Sequence, residues 1–510
     1  MAEDRLTGLD ASFLHIESDT SHMHVAGVML FEGSPPEHDE LVEALQRKMH
    51  LVPRYRQRLA FVPLGQGRPR WVDDPHFNLD YHVRKTALPP PGGEDQLRAL
   101  AGRVFSQQLD RDKPLWEMWV VEGLDGGDRF AVLSKTHHAL VDGISGVDIA
   151  SVLFDVTPEP APTPEPPRRW LPRPLPSRGQ LLAEALIERA TVPAEVARGV
   201  RAVFRTPRRI AGAAVGALAG VGAMAWTGIN PAPPTPYNTS IGPHRRFTWV
   251  RVSLADVKAI KNSLGGTVND VMLAIVAGAL GRDLRRRGVD VKGLELKAMV
   301  PVSVRSDEAR GALGNQVAAM MAPLPVGCED PVVCLQTISR AMRRVKESGQ
   351  ALGAQVLTDL TGFAPPTIMG QASRLVVRQR FFNLVVTNVP GPQIPLYMMG
   401  RQMTEVFPMV PLAPNQAVGV AIMSYNGSIN FGLVGDYDVM ADLDHLARDF
   451  RAALTDLADA AGVELSAPGD VVREGRNGSR PRRRIGQATL SSVAPPAGGA
   501  APPPEAPPPA

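Results

Sequence analysis

The stretch RFAVLSKTHHALVDG, residues 129–143, decides both the fold and the candidate chemistry. Its first ten residues form a short apolar run with β-branched side chains, which predicts a buried strand that ends at His137 and His138. Asp142 and Gly143 then predict a tight turn, and the residues that follow, GISGVDIASVLFDV, predict a helix. The two histidines therefore stand where a buried strand gives way to a helix.

A histidine at such a junction suits acid–base catalysis. A neutral imidazole can accept the proton of an attacking hydroxyl, which is a poor nucleophile at pH 7. An alcohol can attack a thioester in this way without a metal or a covalent intermediate, if both substrates bind together. Asp142 could order the loop by pairing with an arginine. The alternative is a strand-end histidine pair followed by an ordinary Asp-Gly turn, but the fixed spacing of the whole pattern favours catalysis.

The flanking sequence predicts a mixed α/β fold with substantial antiparallel content. Before the motif, EDQLRALAGRVFSQQL predicts an amphipathic helix. One face of this helix is formed by Leu97, Leu100, Ala101, Val104, Phe105 and Gln108. After the motif, RRFTWVRVSL alternates as a strand, and Ser253 with Asp256 predicts a capping box that begins the next helix. The pair Asn426-Gly427 between VGVAIMSY and SINFGLVGD predicts a β-hairpin.

The bulk composition excludes several classes of function. A formal charge of +3 over 510 residues is too small to imply a nucleic-acid partner. Cys328 and Cys334 have neither CxxC spacing nor a His-rich context, which argues against a disulfide framework and a zinc site and favours a reduced, cytosolic compartment. The start, MAEDRLTGLD, is acidic and lacks an apolar core, so no secretory signal is expected.

Proline-rich runs divide the chain. PEPAPTPEPPRRWLPRPLP at 158–176 and NPAPPTP at 230–236 cannot continue a helix or a central strand, and the Ala/Pro end has almost nothing to bury. We predict an N-terminal lobe carrying the histidine motif at 1–156, a Pro-rich and basic helical linker at 157–236, a C-terminal lobe at 237–466 and a disordered tail at 467–510.

One segment of the linker bears on membrane contact. Residues 210–229, IAGAAVGALAGVGAMAWTGI, carry no charge and follow the arginines at 201, 205, 208 and 209. Gly and Ala contribute little transfer energy, so the segment fits a position on an anionic membrane surface better than a span across the bilayer. The alternative is a Gly/Ala-rich helix packed inside the protein.

Several stretches together resemble one family. The HHxxxDG pattern at 137–143 is the signature of the coenzyme A-dependent acyltransferase superfamily, which includes chloramphenicol acetyltransferase, carnitine acyltransferases and peptide-synthetase condensation domains. Further motifs, in order, resemble the bacterial wax ester synthase/diacylglycerol acyltransferase family from about residue 5 to 462. These motifs are LTGLDASFLHIES at 6–18, PLW at 114–116, TVNDVMLAIVAGAL at 267–280, MVPVSVR at 299–305, LGN at 313–315 and TNVPGP at 387–392.

The resemblance implies two chloramphenicol acetyltransferase-like α/β lobes with mixed sheets and an active-site tunnel between them. It implies that His138 is the general base, His137 a supporting neighbour, Asp142 structural and Gly143 part of a turn. Asp142 would pair with an arginine and not with the base, and Arg56 and Arg58 are both candidates by position. Acyl-CoA would be a co-substrate, and neither a cofactor nor a metal is implied. The acceptor would be diacylglycerol or a long-chain fatty alcohol, and the enzyme would lie in the cytoplasm against the inner membrane face or lipid inclusions.

Asn269 and Asp270 have separate interpretations. Thr267 and Asp270 form a capping-box pattern, so Asp270 is expected to satisfy an amide at the start of the helix. Asn269 in the first helical turn could instead aim its amide at the reacting atoms, to bind the oxyanion or position a substrate. The motif PLW, the turn after Val389, and the strand-end residues Ser424 and Tyr425 are expected to be structural.

Two alternatives to this function remain open at the sequence level. One is a transferase of the same fold that acts on another acceptor, such as a polyketide. The other is a weakly active homologue that binds lipid droplets. The intact HHALVDG at 137–143 favours an active transferase over the second alternative.

Overall fold

A computed structural model of the chain describes residues 5–65, 67–141, 154–159, 170–187, 231–303, 317–347 and 381–466. Within them lie two six-stranded mixed sheets and one two-stranded hairpin. The mixed α/β class predicted from the sequence is confirmed. The hairpin pairs β2 (Gln57–Ala60) with β3 (Arg70–Asp73).

The first sheet holds the histidine strand at its centre. Its strands are β1 (His24–Glu32), β4 (Val83–Ala87), β5 (Trp116–Leu124), β6 (Arg129–His137), β11 (Tyr397–Met398) and β12 (Arg401–Met409). They lie in the order β11-β12-β1-β6-β5-β4. β6 pairs antiparallel with β1 on one side and β5 on the other, so the prediction of a buried strand ending at the histidines is confirmed.

Two strands of this sheet come from residues 397–409, within the range predicted as the C-terminal lobe. β12 pairs antiparallel with β1, with Met29 opposite Val406. The chain therefore leaves the second sheet, adds an edge to the first and then returns. The strand β14 (Ser428–Asp436) packs closely on β12, because a Cβ at Gly432 would overlap the carbonyl oxygen of Pro408.

The second sheet follows the order β7-β14-β13-β10-β8-β9. Its strands are β7 (Arg245–Ser253), β8 (Leu296–Ser303), β9 (Val317–Leu324), β10 (Leu384–Pro390), β13 (Val418–Tyr425) and β14 (Ser428–Asp436). Asn426 and Gly427 have φ of 42° and 86°, as a type I′ turn requires. The predicted β13–β14 hairpin is thus confirmed.

The helices that surround the sheets are α1 (Gly8–Ile16), α2 (His38–Lys48), α3 (Leu79–His82), α4 (Glu94–Phe105), α5 (His138–Val141), α6 (Leu254–Leu264), α7 (Val268–Arg286), α8 (Pro331–Glu347) and α9 (Leu443–Ala461). Short 3-10 turns lie at Met49–Leu51, Pro53–Arg56, Pro63–Gly65 and Asp125–Gly127. Residues 178–187 are also helical. α7 packs against α8 and α9, and most of its side chains are buried in the core.

Two local predictions need correction. The helix α4 buries Leu97 and Phe105 as expected, but it ends at Phe105 and Gln108 is exposed. The Nζ of Lys135 donates to the carbonyl oxygens of residues 104 and 107. These carbonyls would otherwise need backbone N–H donors from a further helical turn. Ser253 caps α6 as predicted.

The second half of the expected capping box at α6 does not form. The carboxylate of Asp256 accepts hydrogen bonds from the backbone N–H and the hydroxyl of Ser466, at 2.9 and 2.8 Å. It therefore secures the residues after α9 to α6, instead of closing on the amide of Ser253.

No single helix among the described residues combines the length and the apolarity needed to cross a bilayer. The pair α6 and α7 meets these criteria only when taken together, with a bend of 97° between the two helices. Residues 210–229, for which the sequence suggested membrane contact, lie outside the described residues. So do Arg305, the LGN at 313–315 and most of the helix predicted after Asp142. The last three residues of that predicted helix, 154–156, are described and are not helical, because Asp155 forms a β-bridge with Tyr397 instead.

Candidate active site

The end of β6 is held on both sides by main-chain hydrogen bonds. The N–H of His137 donates to the carbonyl oxygen of Leu115 at 2.9 Å, just before β5. The N–H of His138 donates to the carbonyl oxygen of Met23 at 2.8 Å, just before β1. The backbone of both histidines is therefore fixed by the neighbouring strands of the first sheet, and α5 begins at His138.

The ring of His137 is buried and its tautomer is assigned by its neighbours. Its Nδ1 accepts a hydrogen bond from the N–H of Ala139 at 3.1 Å. The ring proton of a neutral imidazole then resides on Nε2, which lies 3.5 Å from Oε2 of Glu17. Both side chains are only 1% exposed, so His137 holds one orientation and is not open to bulk solvent.

Glu17 in turn is held by Arg111. Oε2 of Glu17 accepts from Nε and Nη2 of Arg111 at 2.9 and 2.5 Å, and Oε1 accepts from the N–H of Met23 at 3.3 Å. Burial alone would raise the pKa of the Glu17 carboxyl, but the hydrogen bonds from His137 and Arg111, together with the charge of Arg111, outweigh burial and lower this pKa to about 2. Glu17 is therefore ionised at neutral pH.

His138 presents a different environment from His137. Its side chain is half-buried, and its ring stacks on the ring of Phe13 with centroids 3.9 Å apart and planes 19° apart. Phe13 lies on α1, and Glu17 is the C-cap residue of the same helix. One helix therefore supplies both the ring against His138 and the carboxylate beside His137.

A third histidine, His24, lies opposite His137 on β1. It is buried, and its Nε2 lies 3.0 Å from the carbonyl oxygen of Phe105. Burial, followed by the charge of nearby Lys135, holds the pKa of His24 well below its usual range. His24 is therefore a neutral core residue that ties β1 to the end of α4, and it offers no general base.

The PLW motif is a packing element, as predicted. Trp116 begins β5 with 2% of its surface exposed, and its ring stacks on His82 with centroids 4.6 Å apart. Its indole N–H donates to the carbonyl oxygen of Tyr55 at 2.8 Å. This hydrogen bond joins β5 to the turn before β2 and so supports the strand that borders the histidines.

Replacing Trp116 with phenylalanine is expected to lower the free energy of unfolding by about 1–3 kcal/mol, because the carbonyl of Tyr55 loses its donor while buried. Trp119→Phe is a matched control. Among the described residues, the buried indole N–H of Trp119 has no hydrogen-bond partner. Chemical denaturation measures the free energy of unfolding of both variants. An equal decrease in the two would mean that the lost side-chain volume, and not the hydrogen bond, accounts for the effect.

Asn269 and Asp270 have different hydrogen-bond partners. Asp270 is buried, its carboxylate accepts from the N–H of Thr267 at 2.9 Å, and its own N–H donates to the Thr267 hydroxyl at 3.2 Å. The predicted cap of α7 is thus confirmed. The Oδ1 of Asn269 accepts from the amide of Asn388 on β10 at 3.0 Å. No hydrogen bond joins Asn269 to His137 or His138 among the described residues.

The remaining motif residues have structural partners. The TNVPGP turn ends β10 at Pro390, and the hydroxyl of Ser424 accepts from the N–H of Gly391 at 3.3 Å. Tyr425 is buried and its hydroxyl donates to the carbonyl oxygen of Met403. Both strand-end residues are structural, as expected.

The arginine partner of Asp142 stays a prediction, because Asp142 and Gly143 lie outside the described residues. Arg56 is buried, with its guanidinium 4.5 Å from the ring centroid of Trp170. Arg58 lies half-buried on β2. The described residues contain no group of three or more His, Cys, Asp or Glu that could hold a metal ion.

Sequence reasoning missed Phe13, Glu17 and Arg111 as site residues. A signal was present for two of them: Asp10, Phe13 and Glu17 follow an i, i+3, i+7 spacing, which places them on one side of a helix. For Arg111 the sequence carries no comparable signal, because its partner is distant along the chain.

Comparison with known proteins places these features in a family. Residues 6–272 match the model described as wax ester synthase/diacylglycerol acyltransferase catalytic domain, and residues 313–458 match the C-terminal domain of the same family. A probable diacylglycerol O-acyltransferase of Mycobacterium tuberculosis H37Rv is 35% identical over 89% of this chain and 98% of the relative.

Solved structures agree. A wax ester synthase/diacylglycerol acyltransferase from Marinobacter aquaeolei VT8 superposes with a TM-score of 0.62 at 27% identity, over 90% of this chain and all of that one. The first condensation domain of the calcium-dependent antibiotic synthetase, at 15% identity and a TM-score of 0.55 over 91% and 99%, shares the fold. The chain is therefore an acyltransferase that belongs to the wax ester synthase/diacylglycerol acyltransferase family.

Proposed function

We propose that this chain transfers a fatty acyl group from acyl-CoA to the hydroxyl of diacylglycerol, and also to long-chain fatty alcohols, with His138 as the general base. The observation that carries this proposal is the half-buried imidazole of His138 at the end of β6, stacked on Phe13. It stands beside a second histidine, His137, which Glu17 and Arg111 hold in place.

The reaction follows from a base and two aligned substrates. His138 removes the proton of the acceptor hydroxyl while that oxygen forms a bond to the thioester carbonyl carbon. The tetrahedral oxyanion collapses, the carbon–sulfur bond breaks, and the coenzyme A thiolate takes the proton back from the imidazolium. Base catalysis contributes about 10²- to 10⁴-fold, and alignment of the substrates in a tunnel between the lobes contributes much of the remainder.

The other residues of the motif support this base. His137 is assigned a positioning role, because its ring is buried, its Nδ1 accepts from the N–H of Ala139 and its Nε2 lies 3.5 Å from the Glu17 carboxylate. Asp142 and Gly143 are assigned to the turn that follows α5, with Asp142 paired to an arginine and not to the base.

The amide of Asn269 is assigned the role of donating a hydrogen bond to the oxyanion or to a substrate. Its Oδ1 is occupied by Asn388, so its Nδ2 is the end of the amide left to donate. Replacing Asn269 with alanine is expected to lower kcat at least about tenfold, since one oxyanion donor is worth roughly 10²- to 10³-fold.

Thr267→Ala is the matched control for Asn269→Ala. It removes the cap of the same helix and is expected to lower the free energy of unfolding by about 1 kcal/mol with little change in kcat. Steady-state kinetics and thermal unfolding of both variants separate the two roles. Equal kcat values for Asn269→Ala and the wild type would assign Asn269 to the fold alone.

The site of action is proposed to be the cytoplasmic face of the membrane or the surface of lipid inclusions, because the acceptors partition there. The test of function is release of coenzyme A from palmitoyl-CoA by the purified full chain, with dioleoylglycerol or hexadecanol as acceptor. Acceptor-dependent release, with triacylglycerol and wax ester identified as products, is the expected result and ranks the two acceptors. No release with either acceptor would refute the proposal and favour another acceptor or a lipid-binding role.

A further inference from the structure

Large exposed hydrophobic side chains are concentrated in one part of the molecule. Of the thirteen in the described residues, six lie in three short stretches at 61–64, 171–175 and 186–187. They are Phe61, Leu64, Leu171, Leu175, Leu186 and Ile187. Leu64 and Leu171 are the most exposed, at 85% and 75%. Single exposed apolar residues need no explanation, whereas a concentration of them marks an interaction site.

The three stretches are brought together by the β2–β3 hairpin (residues 57–73) and a strap (residues 170–187) that runs along it. At the base of the hairpin, the N–H and Nε of Arg173 donate to Oδ2 of Asp73 at 3.0 and 3.4 Å. Near the tip, Arg70 pairs with Glu184 of the strap. A Cβ at Gly67 would lie 2.9 Å from the Cβ of Ala185, so the strap contacts β3 at both ends and the loop that precedes it.

The helical part of the strap leaves apolar side chains facing outward. Leu181 and Ala185, four residues apart, are buried at 5% and 2%. Leu186 and Ile187 are exposed at 52% and 63%. The helix therefore packs one side against the protein and exposes two further hydrophobic residues that do not take part in this packing. Together with Phe61 and Leu64 of the hairpin and Leu171 and Leu175 of the strap, they form what we name the strap–hairpin face.

The charge of the strap–hairpin face is positive. The hairpin and the strap carry five arginines, at positions 58, 68, 70, 173 and 178, against two acids, Asp73 and Glu184. Both acids are engaged by arginines. Exposed leucines among arginines match a lipid surface with anionic headgroups, where the apolar side chains enter the acyl boundary and the guanidinium groups remain with the phosphates.

We propose that the strap–hairpin face docks the chain on an anionic lipid surface. This inference rests on the proposed function, since an enzyme whose acceptors dissolve in membranes must meet them there. Beyond the strap, the sequence continues to the arginines at 201–209 and the uncharged residues 210–229, so the face adjoins further sequence of matching chemistry. A second copy of the chain could occupy this face only with an acidic surface that complements the arginines. Anionic lipid headgroups supply that negative charge themselves.

The test compares vesicle binding by the wild-type full chain with binding by the double variant Leu64→Glu/Leu171→Glu. Phosphatidylglycerol vesicles are sedimented and the bound fraction is measured. Removing two inserted leucines is expected to lower the partition coefficient at least about tenfold. Val333→Glu is the control, because Val333 is 47% exposed on α8, outside the face, and it should bind as the wild type does. Replacing phosphatidylglycerol with phosphatidylcholine should lower wild-type binding at least about fivefold.

Three results would overturn the proposal. The first is equal binding by the double variant and the wild type. The second is a wild type that fails to bind vesicles while it transfers acyl groups to detergent-dispersed dioleoylglycerol, a result that leaves the proposed function intact. The third is a wild-type dimer in sedimentation equilibrium that the double variant converts to a monomer, which would assign the face to a second copy. Thermal unfolding and transfer in detergent should be alike in wild type and variant.

Discussion

Replacing His138 with alanine is expected to lower kcat about 10²- to 10⁴-fold, the contribution of general acid–base catalysis. The substitution removes the imidazole but keeps the hydrogen bond from the residue 138 amide to Met23. Alanine is also a good helix former at the start of α5. The fold should therefore persist, and KM for palmitoyl-CoA should change little. The measurement is coenzyme A release with dioleoylglycerol as acceptor.

Two further variants show whether the loss of kcat in His138→Ala comes from removing the base. Phe13→Leu keeps the base but removes the ring stacked on it. Because an aromatic pair is worth about 0.5–1.5 kcal/mol, kcat should fall by no more than about tenfold. His76→Ala changes an exposed histidine and should leave kcat unchanged. Undiminished acyl transfer by His138→Ala would refute the general-base mechanism.

The parts of the fold that could be predicted are those decided by neighbouring residues. β6 contains the apolar run FAVL at 130–133, α7 begins at a Thr267–Asp270 cap, and β13 and β14 meet at Asn426-Gly427. In the cap and the hairpin, the backbone groups are satisfied within one turn or one strand pair, so the local sequence contains the whole signal. The histidine position follows from the same local pattern.

The parts that could not be predicted depend on distant contacts. β12 pairs with β1 although their residues are far apart: the Thr404 hydroxyl donates to the carbonyl oxygen of Leu30 across a separation of 374 residues. Arg111 and Glu17 are 94 residues apart. Residue spacing within a helix can show that Phe13 and Glu17 share a side of α1, but it cannot predict which strand end that side faces.

The corrections have the same origin. A helical period alone would carry α4 to Gln108, and a side chain from β6, Lys135, binds the carbonyls at its end instead. The capping pattern at Ser253 is formed on one side only, because Ser466 competes for Asp256. In both positions a tertiary partner prevails over a local preference that was itself correctly recognised.

Replacing Glu17 with glutamine is expected to lower the free energy of unfolding by about 3 kcal/mol and kcat at least about tenfold. Every group that faces the Glu17 carboxylate is a donor: Nε and Nη2 of Arg111, Nε2 of His137 and the N–H of Met23. Glutamine has one acceptor oxygen and one NH2 group. At least one buried donor must then face another donor, and the ring of His137 loses its fixed orientation.

The pH dependence of stability gives an independent measure. The pKa of Glu17 is about 2 in the folded chain and about 4.3 in an unfolded one. A lowered folded pKa stabilises the fold above the unfolded pKa, and this stabilisation is lost as pH falls from about 4.3 toward 2. Thermal unfolding of the wild type should therefore depend more steeply on pH in this range than that of Glu17→Gln.

Kinetics then decide whether Glu17 only supports the fold or also positions the site. Glu122→Gln is the control, because it removes an exposed ion pair with Lys85 that is worth about 0–1 kcal/mol. At a temperature where all variants are folded, Glu17→Gln should lower kcat with little change in KM and should alter the pH profile of kcat, since it changes what the His137 ring contacts next to His138. A stability loss with an unchanged kcat and pH profile would make Glu17 a structural residue.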